Sequence, residues 1–163
     1  ATYHSIRSSA ASLCKAAHPP AAFTPAIQGT WRASSSEVRA AMGNPKVVLL
    51  DCRSRKEFAG EIGRGAREGR VPGAVNVPAG HLLDGEHKTW KPEAEMRKIF
   101  EAAGVKPDSR VITYCNAGVS ASVGLFALRL LNHPDAANFA GSWYEWEADP
   151  ENPVQTGVRE STG

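Results

Sequence analysis

The stretch Arg110-Val-Ile-Thr-Tyr-Cys115-Asn-Ala-Gly-Val-Ser-Ala-Ser122, continued by the apolar run Val123 to Leu131, decides how this chain folds. Residues 110–114 read as a buried strand, 116–119 as a short loop and 120–131 as a buried helix. Cys115 falls where the strand has ended and the helix has not begun. The first N–H groups of a helix lack intrahelical acceptors, and the macrodipole adds roughly half a positive charge at that end. Both effects favour a thiolate over a thiol. A thiolate facing a nest of N–H donors is a nucleophile with an anion pocket beside it.

Working outward, the same alternation recurs. Ser34-Ser-Ser-Glu37 is a capping box ahead of Val38, Ala41 and Met42, with Gly43 as the stop. Val47-Val-Leu-Leu-Asp51 is an apolar strand ending in an acid, and Ser54-Arg-Lys-Glu57 is a second capping box. Residues 59–73 form a glycine-rich loop, and Ala74-Val-Asn-Val77 a short strand closed by Pro78. Pro92 opens a helix carrying Met96, Ile99, Phe100 and Ala103, with Gly104 as the stop. Asn138-Phe-Ala140 reads as a last strand and Ser142 to Ala148 as a last helical segment. Strands that are apolar throughout and alternate with helices predict an α/β domain with a mostly parallel sheet covered on both faces. In such sheets sites form beyond the carboxyl ends of the strands. Asp51, Cys52 and Arg53 lie at one such end and Cys115 at another, so the two ends are expected to meet at one crevice.

At 163 residues the chain suits one domain, and 42% hydrophobic with 22% charged residues is a globular composition. A net charge of +2, with no basic run and no aromatic platform beside one, gives no sign of a nucleic-acid partner. The longest apolar stretch is interrupted by Gly124 and Arg129, so no membrane span is expected. The three cysteines, Cys14, Cys52 and Cys115, are odd in number and lack C-x-x-C spacing. That argues against a disulfide framework and against a metal site, and fits a reducing compartment, cytoplasmic or the mitochondrial matrix. Residues 1–30 are rich in Ala, Ser and Pro and contain no acid. They read as a targeting remnant or as a flexible linker. Residues 31–157 are expected to be the folded domain and 158–163 a tail.

Four separated motifs now occur in one order: Leu50-Asp-Cys-Arg53, Gly69-Arg-Val-Pro-Gly-Ala-Val-Asn-Val-Pro78, Val111-Ile-Thr-Tyr-Cys115 with its loop to Ser120, and Gly141-Ser-Trp-Tyr-Glu-Trp146 with Asp149-Pro150. In these the chain resembles a rhodanese-type sulfurtransferase domain with a three-layer fold. It is most similar to the catalytic second half of tandem-domain thiosulfate and mercaptopyruvate sulfurtransferases, down to the closing Pro153-Val-Gln-Thr-Gly157. The resemblance implies a persulfide on Cys115, no cofactor, a small-molecule sulfur donor, and cyanide or a thiol as acceptor. It also implies a second rhodanese domain or a larger assembly as a partner. The alternative is a non-catalytic rhodanese-like docking or structural subunit.

By the same resemblance, the donor-binding residues are Arg53, Arg64 and the loop Asn116, Ala117, Gly118, Val119 and Ser120. Thiosulfate-preferring members carry basic residues after the cysteine, and mercaptopyruvate-preferring members a small-Ser-Gly-Val-Thr run. Asn116 and Ala117 match neither pattern. Arg53 either reaches a donor's carboxylate or sulfonate or pairs with Asp51. Arg64 and Arg67 both lie in the loop that holds a second substrate arginine in mercaptopyruvate-type members, or else face solvent, as Arg70 is expected to do. Ser120 either caps the helix or donates toward the persulfide. Trp143 and Trp146 are core residues or crevice walls, and Cys52 is a resolving thiol or an inert buried one. A related cysteine phosphatase would need an arginine at the sixth position after Cys115, where this chain has Ala121.

Overall fold

The computed structural model describes residues 29–86 and 89–157. Residues 1–28 of the leader, with Cys14, and the tail 158–163 lie outside them. A 4-stranded sheet runs in the order β2-β1-β3-β4, every pair parallel. Its strands are β1 (Val47–Asp51), β2 (Val75–Asn76), β3 (Arg110–Tyr114) and β4 (Ala136–Asn138). The helices are α1 (Ser35–Ala41), α2 (Arg55–Ala59), α3 (Glu93–Ala102), α4 (Val119–Leu130) and α5 (Ser142–Ala148). Among the described residues no helix is long and apolar enough to cross a membrane.

The sheet is central because both of its faces are apolar. Side chains alternate along a strand, so β1 and β3 each feed two cores. Leu50 and Val111 point into a core with Met96 and Phe100 of α3 and Ala127 and Leu128 of α4. Leu49, Ile112 and Tyr114 point into the opposite core with Val38 of α1, Phe58 of α2 and Trp143 and Trp146 of α5. The result is three layers: α3 and α4, the sheet, then α1, α2 and α5. Both tryptophans are core residues, and their indole N–H groups donate to the Arg67 and Pro153 carbonyls.

Both capping boxes form as expected. Ser34 and Ser54 accept from the backbones of Glu37 and Glu57, whose carboxylates reach back to the cap backbones. Two expectations need correction. The last strand begins at Ala136, with Ala136 and Ala137 beside Val111 and Ile112 and Asn138 beside Thr113. Alanine carries little strand preference, but these two are fully buried next to β3, and lateral packing sets the strand. Arg70 does not face solvent. It is 1% exposed, its guanidinium lies 4.4 Å from the Phe58 ring centroid, and Nη1 donates to the Phe58 and Gly157 carbonyls.

Candidate active site

β1 and β3 are neighbours in register, with Asp51 beside Tyr114. Their carboxyl ends therefore bring Cys52 and Cys115 side by side. The Cys52 N–H donates to the Tyr114 carbonyl at 2.8 Å, which carries the ladder one step past the strand. Cys115 is 3% exposed and opens the loop into α4.

The loop is held from three sides. Trp143 N–H donates to the Cys115 carbonyl at 2.9 Å and Tyr144 N–H to the Asn116 carbonyl at 3.1 Å. The Asn116 side-chain amide donates to Glu57 Oε1 at 2.8 Å. The Gly118 carbonyl accepts from Ser122 N–H, Ser122 Oγ and Asn138 Nδ2. Gly118 itself is the residue before α4, with φ +83°. A Cβ there would sit 2.7 Å from the Ala140 carbonyl oxygen, so both conformation and space demand glycine.

The Cys115, Asn116 and Gly118 carbonyls are thus taken while the N–H donors that follow are not. The backbone N–H groups of residues 116–121 donate to no acceptor among the described residues. Six successive free N–H groups, ending in the first turn of a twelve-residue helix, follow directly on Cys115, and free donors at a helix start are where anions bind. Asn116 Oδ1 is also buried without a donor. Ser120 is not the helix cap. Gly118 takes that position and Ser120 falls in the first turn, because the αL residue lets the helix start earlier than a serine cap would. Val119 is 77% exposed and Ala117 is exposed, so both stand on the outer rim of the loop.

The three arginines have different fates. Arg53 is bound within the protein. Nε and Nη2 engage the Asp51 carboxylate, Nη2 also donates to the Gly69 carbonyl at 2.7 Å, and the guanidinium stacks 4.6 Å from the Trp143 ring. The pair is 3% and 0% exposed at its side chains. Burial works against the Arg53 charge, but the Asp51 bonds and charge outweigh it and raise its pKa further. The pairing with Asp51 weighed from the sequence is the arrangement present, and Arg53 is 5% exposed. Arg67 is likewise used internally, donating to the Asp149 and Asn152 carbonyls. Arg64 is different. It is 68% exposed at its side chain, and only its Nε is engaged, with Glu57 Oε1 at 3.1 Å. Glu57 Oε1 is the atom that also holds Asn116, so Arg64 stands at the rim of the Cys115 loop.

Ser142 was not singled out from the sequence. It is fully buried, and its Oγ accepts the Cys115 N–H at 3.0 Å, donates to the Phe139 carbonyl at 2.8 Å and lies 4.0 Å from Cys115 Sγ. Its φ of +52° is costly for a serine. Only its place in Gly141-Ser-Trp could have pointed to it, since a left-handed serine leaves no compositional signal.

The structure is thus a parallel α/β domain with a cysteine at a strand end, followed directly by free N–H groups. The Rhodanese-like domain family matches residues 34–149, and the chain belongs to that family. It is 38% identical over 113 residues to a Mycobacterium tuberculosis protein named as the thiosulfate sulfurtransferase SseB, covering 69% of this chain and 39% of that protein. It is 33% identical over 124 residues to a Pseudomonas aeruginosa protein named as a 3-mercaptopyruvate sulfurtransferase, covering 76% and 44%. The chain therefore spans less than half the length of these curated relatives. Among solved structures it is similar to the anaerobic ergothioneine biosynthesis enzyme of Chlorobium limicola in complex with trimethyl histidine. There the identity is 27% and the TM-score 0.74, over 80% of this chain and 33% of that one. It is equally similar, at TM-score 0.74, to a persulfide form of the enzyme EanB solved with ergothioneine.

Proposed function

We propose that this domain is a sulfurtransferase in which Cys115 carries the transferred sulfur as a persulfide. The observation that carries this reading is the loop's asymmetry: the Cys115, Asn116 and Gly118 carbonyls are occupied, while the N–H groups from 116 to 121, directly after the cysteine, are free. The sulfurtransferase names of the relatives support it. In the first half-reaction the Cys115 thiolate attacks the outer sulfur of thiosulfate or a related donor. The donor's bond to that sulfur breaks and, for thiosulfate, sulfite leaves with the electron pair. In the second, cyanide or a thiol attacks the same sulfur, and the Cys115 thiolate leaves. The free N–H groups stabilise the anionic persulfide between the two steps. Arg64, held at the rim by Glu57, is the cation offered to the donor's anionic end.

The donor, whether thiosulfate or 3-mercaptopyruvate, belongs to this proposal, as does a partner domain completing the crevice. Intact mass tests the core of it. Incubation with thiosulfate should add one sulfur atom to the chain, and cyanide should remove it. Cys115→Ser should take up no sulfur and show no turnover. Turnover close to the parent's in that variant would overturn the reading, and a parent chain that takes up no sulfur from either donor would favour the docking subunit.

A further inference from the structure

Cys52 is the second thiol at the site, and the sulfur-transfer chemistry does not use it. Three observations fix its relation to Cys115. First, β1 and β3 are parallel and in register through Asp51 and Tyr114, and the Cys52 N–H still bonds the Tyr114 carbonyl. Cys52 and Cys115 are therefore lateral neighbours. Adjacent strands lie about 4.8 Å apart, within the roughly 4.4–6.8 Å between Cα atoms that a disulfide bridges. Second, both side chains are on one side of the sheet. Register partners in a parallel pair point the same way, and both thiols belong to the core shared with α4. Third, α4 closes over Cys52. A Cβ at Gly124 would meet Cys52 Sγ at 2.7 Å, with Thr113 and Leu50 next nearest. Cys52 is 2% exposed, and the glycine that makes room for its sulfur leaves no lane for an outside thiol.

We infer that Cys52 and Cys115 form a reversible intramolecular disulfide, with Cys52 resolving a Cys115 that a peroxide has oxidised. The two sulfurs take different parts. Burial pushes the Cys52 thiol well up, and the charges of Asp51 and Cys115 push it further, so Cys52 stays protonated. Cys115 sits in the loop with free N–H donors and is the sulfur that reacts first. Its thiolate attacks one peroxide oxygen, the O–O bond breaks, and a sulfenic acid forms as hydroxide or alkoxide leaves. The Cys52 sulfur then attacks Cys115 Sγ. The S–O bond breaks, and the hydroxyl leaves as water with the Cys52 thiol proton. Two thiols have given two electrons to one peroxide, and a dithiol reductant reverses the change. The bridge keeps Cys115 from the irreversible sulfinic and sulfonic states.

The test counts thiols and does not depend on sulfur transfer. The whole chain is treated with hydrogen peroxide, its remaining thiols are blocked, and it is mapped without reduction. The expected product is a Cys52–Cys115 linked peptide in a chain lighter by two hydrogens. Dithiothreitol should restore the alkylation of Cys115. The link should persist in Cys14→Ser, while Cys52→Ala should advance to the sulfinic acid and not recover. Should Cys52→Ala fail to fold, the maps of the parent and of Cys14→Ser decide alone. A parent chain whose Cys115 is over-oxidised while Cys52 remains alkylatable would overturn the inference. So would a link from Cys115 to Cys14.

Discussion

Two arginines near one cysteine have opposite fates because of what their neighbours offer. Arg53 finds Asp51 at the end of its own strand, the Gly69 carbonyl across the crevice and two aromatic rings to lie against. A guanidinium with that many partners is a buried structural cation. Truncating it strands the Asp51 carboxylate in the core, and an uncompensated buried charge costs about 3–5 kcal/mol. Arg53→Ala should therefore lower the urea midpoint sharply, and any loss of turnover should follow the loss of fold. Arg64 offers the opposite case. Its exposed guanidinium holds one ion pair, and exposed pairs contribute little to stability. Arg64→Ala should leave the midpoint nearly unchanged and raise the KM for an anionic donor several-fold. Equal midpoints for Arg53→Ala and the parent, or an unchanged KM for thiosulfate and mercaptopyruvate in Arg64→Ala, would reverse these assignments. Sequence alone could not separate the two, because each lies within three residues of an acid, Asp51 or Glu61. Whether the guanidinium meets Asp51 or water depends on how the chain folds back over β1.

At the level of elements, the short helix α2 does more for the site than its length suggests. Its capping-box acid, Glu57, closes the box on Ser54 with one oxygen and holds Asn116 and Arg64 with the other. Burial works to raise its pKa, but the bonds from Ser54 and Asn116 and the charge of Arg64 prevail and lower it below the ordinary carboxylate value. A lowered folded value means that Glu57 contributes its full stability above the unfolded value of about 4.3 and loses it as pH falls through the folded one. The stability of the parent should accordingly fall more steeply on acidification, below about pH 4.3, than that of Glu57→Gln, which has no charge to lose. Urea midpoints of both proteins from neutral to acid pH check this, and parallel slopes would contradict it. The capping box was legible because Ser-x-x-Glu ahead of an apolar residue is a local pattern, as were β1 and β3, whose stretches Val47-Val-Leu-Leu50 and Val111-Ile112 are apolar without alternation. What was not legible depended on contacts between distant segments. The start of β4 was hidden in a pair of alanines. The buried Arg70 was hidden in a glycine-rich loop, and the left-handed Ser142 became meaningful only once α5 lay beside Cys115.

Taken as a whole, the molecule brings little positive charge to the mouth of its site. The net charge is +2 over 163 residues. Of the arginines near the crevice, Arg53 and Arg67 are engaged internally and Arg64 is half-neutralised by Glu57. In the proposed function the attraction for a donor anion therefore rests on backbone N–H groups, which act at hydrogen-bond range and do not steer from afar. Ala117 is exposed on the rim of the loop, two residues from Cys115. A lysine there would add a unit charge near the donor. At about 6 Å in bulk-water dielectric and without salt screening, a unit charge attracts a dianion by about 1.4 kcal/mol, about tenfold. Ala117→Lys should therefore raise kcat/KM for thiosulfate by several-fold at low salt. The gain should shrink between about 0.1 M and 1 M salt, as the Debye length falls from about 10 Å to about 3 Å. Mercaptopyruvate, with a single carboxylate, should gain less than thiosulfate from the same lysine. If thiosulfate turnover does not rise in Ala117→Lys, or rises equally at every salt concentration, charge at the loop is not what limits this domain. The shape of the crevice beyond Arg64 would then govern which donor it accepts.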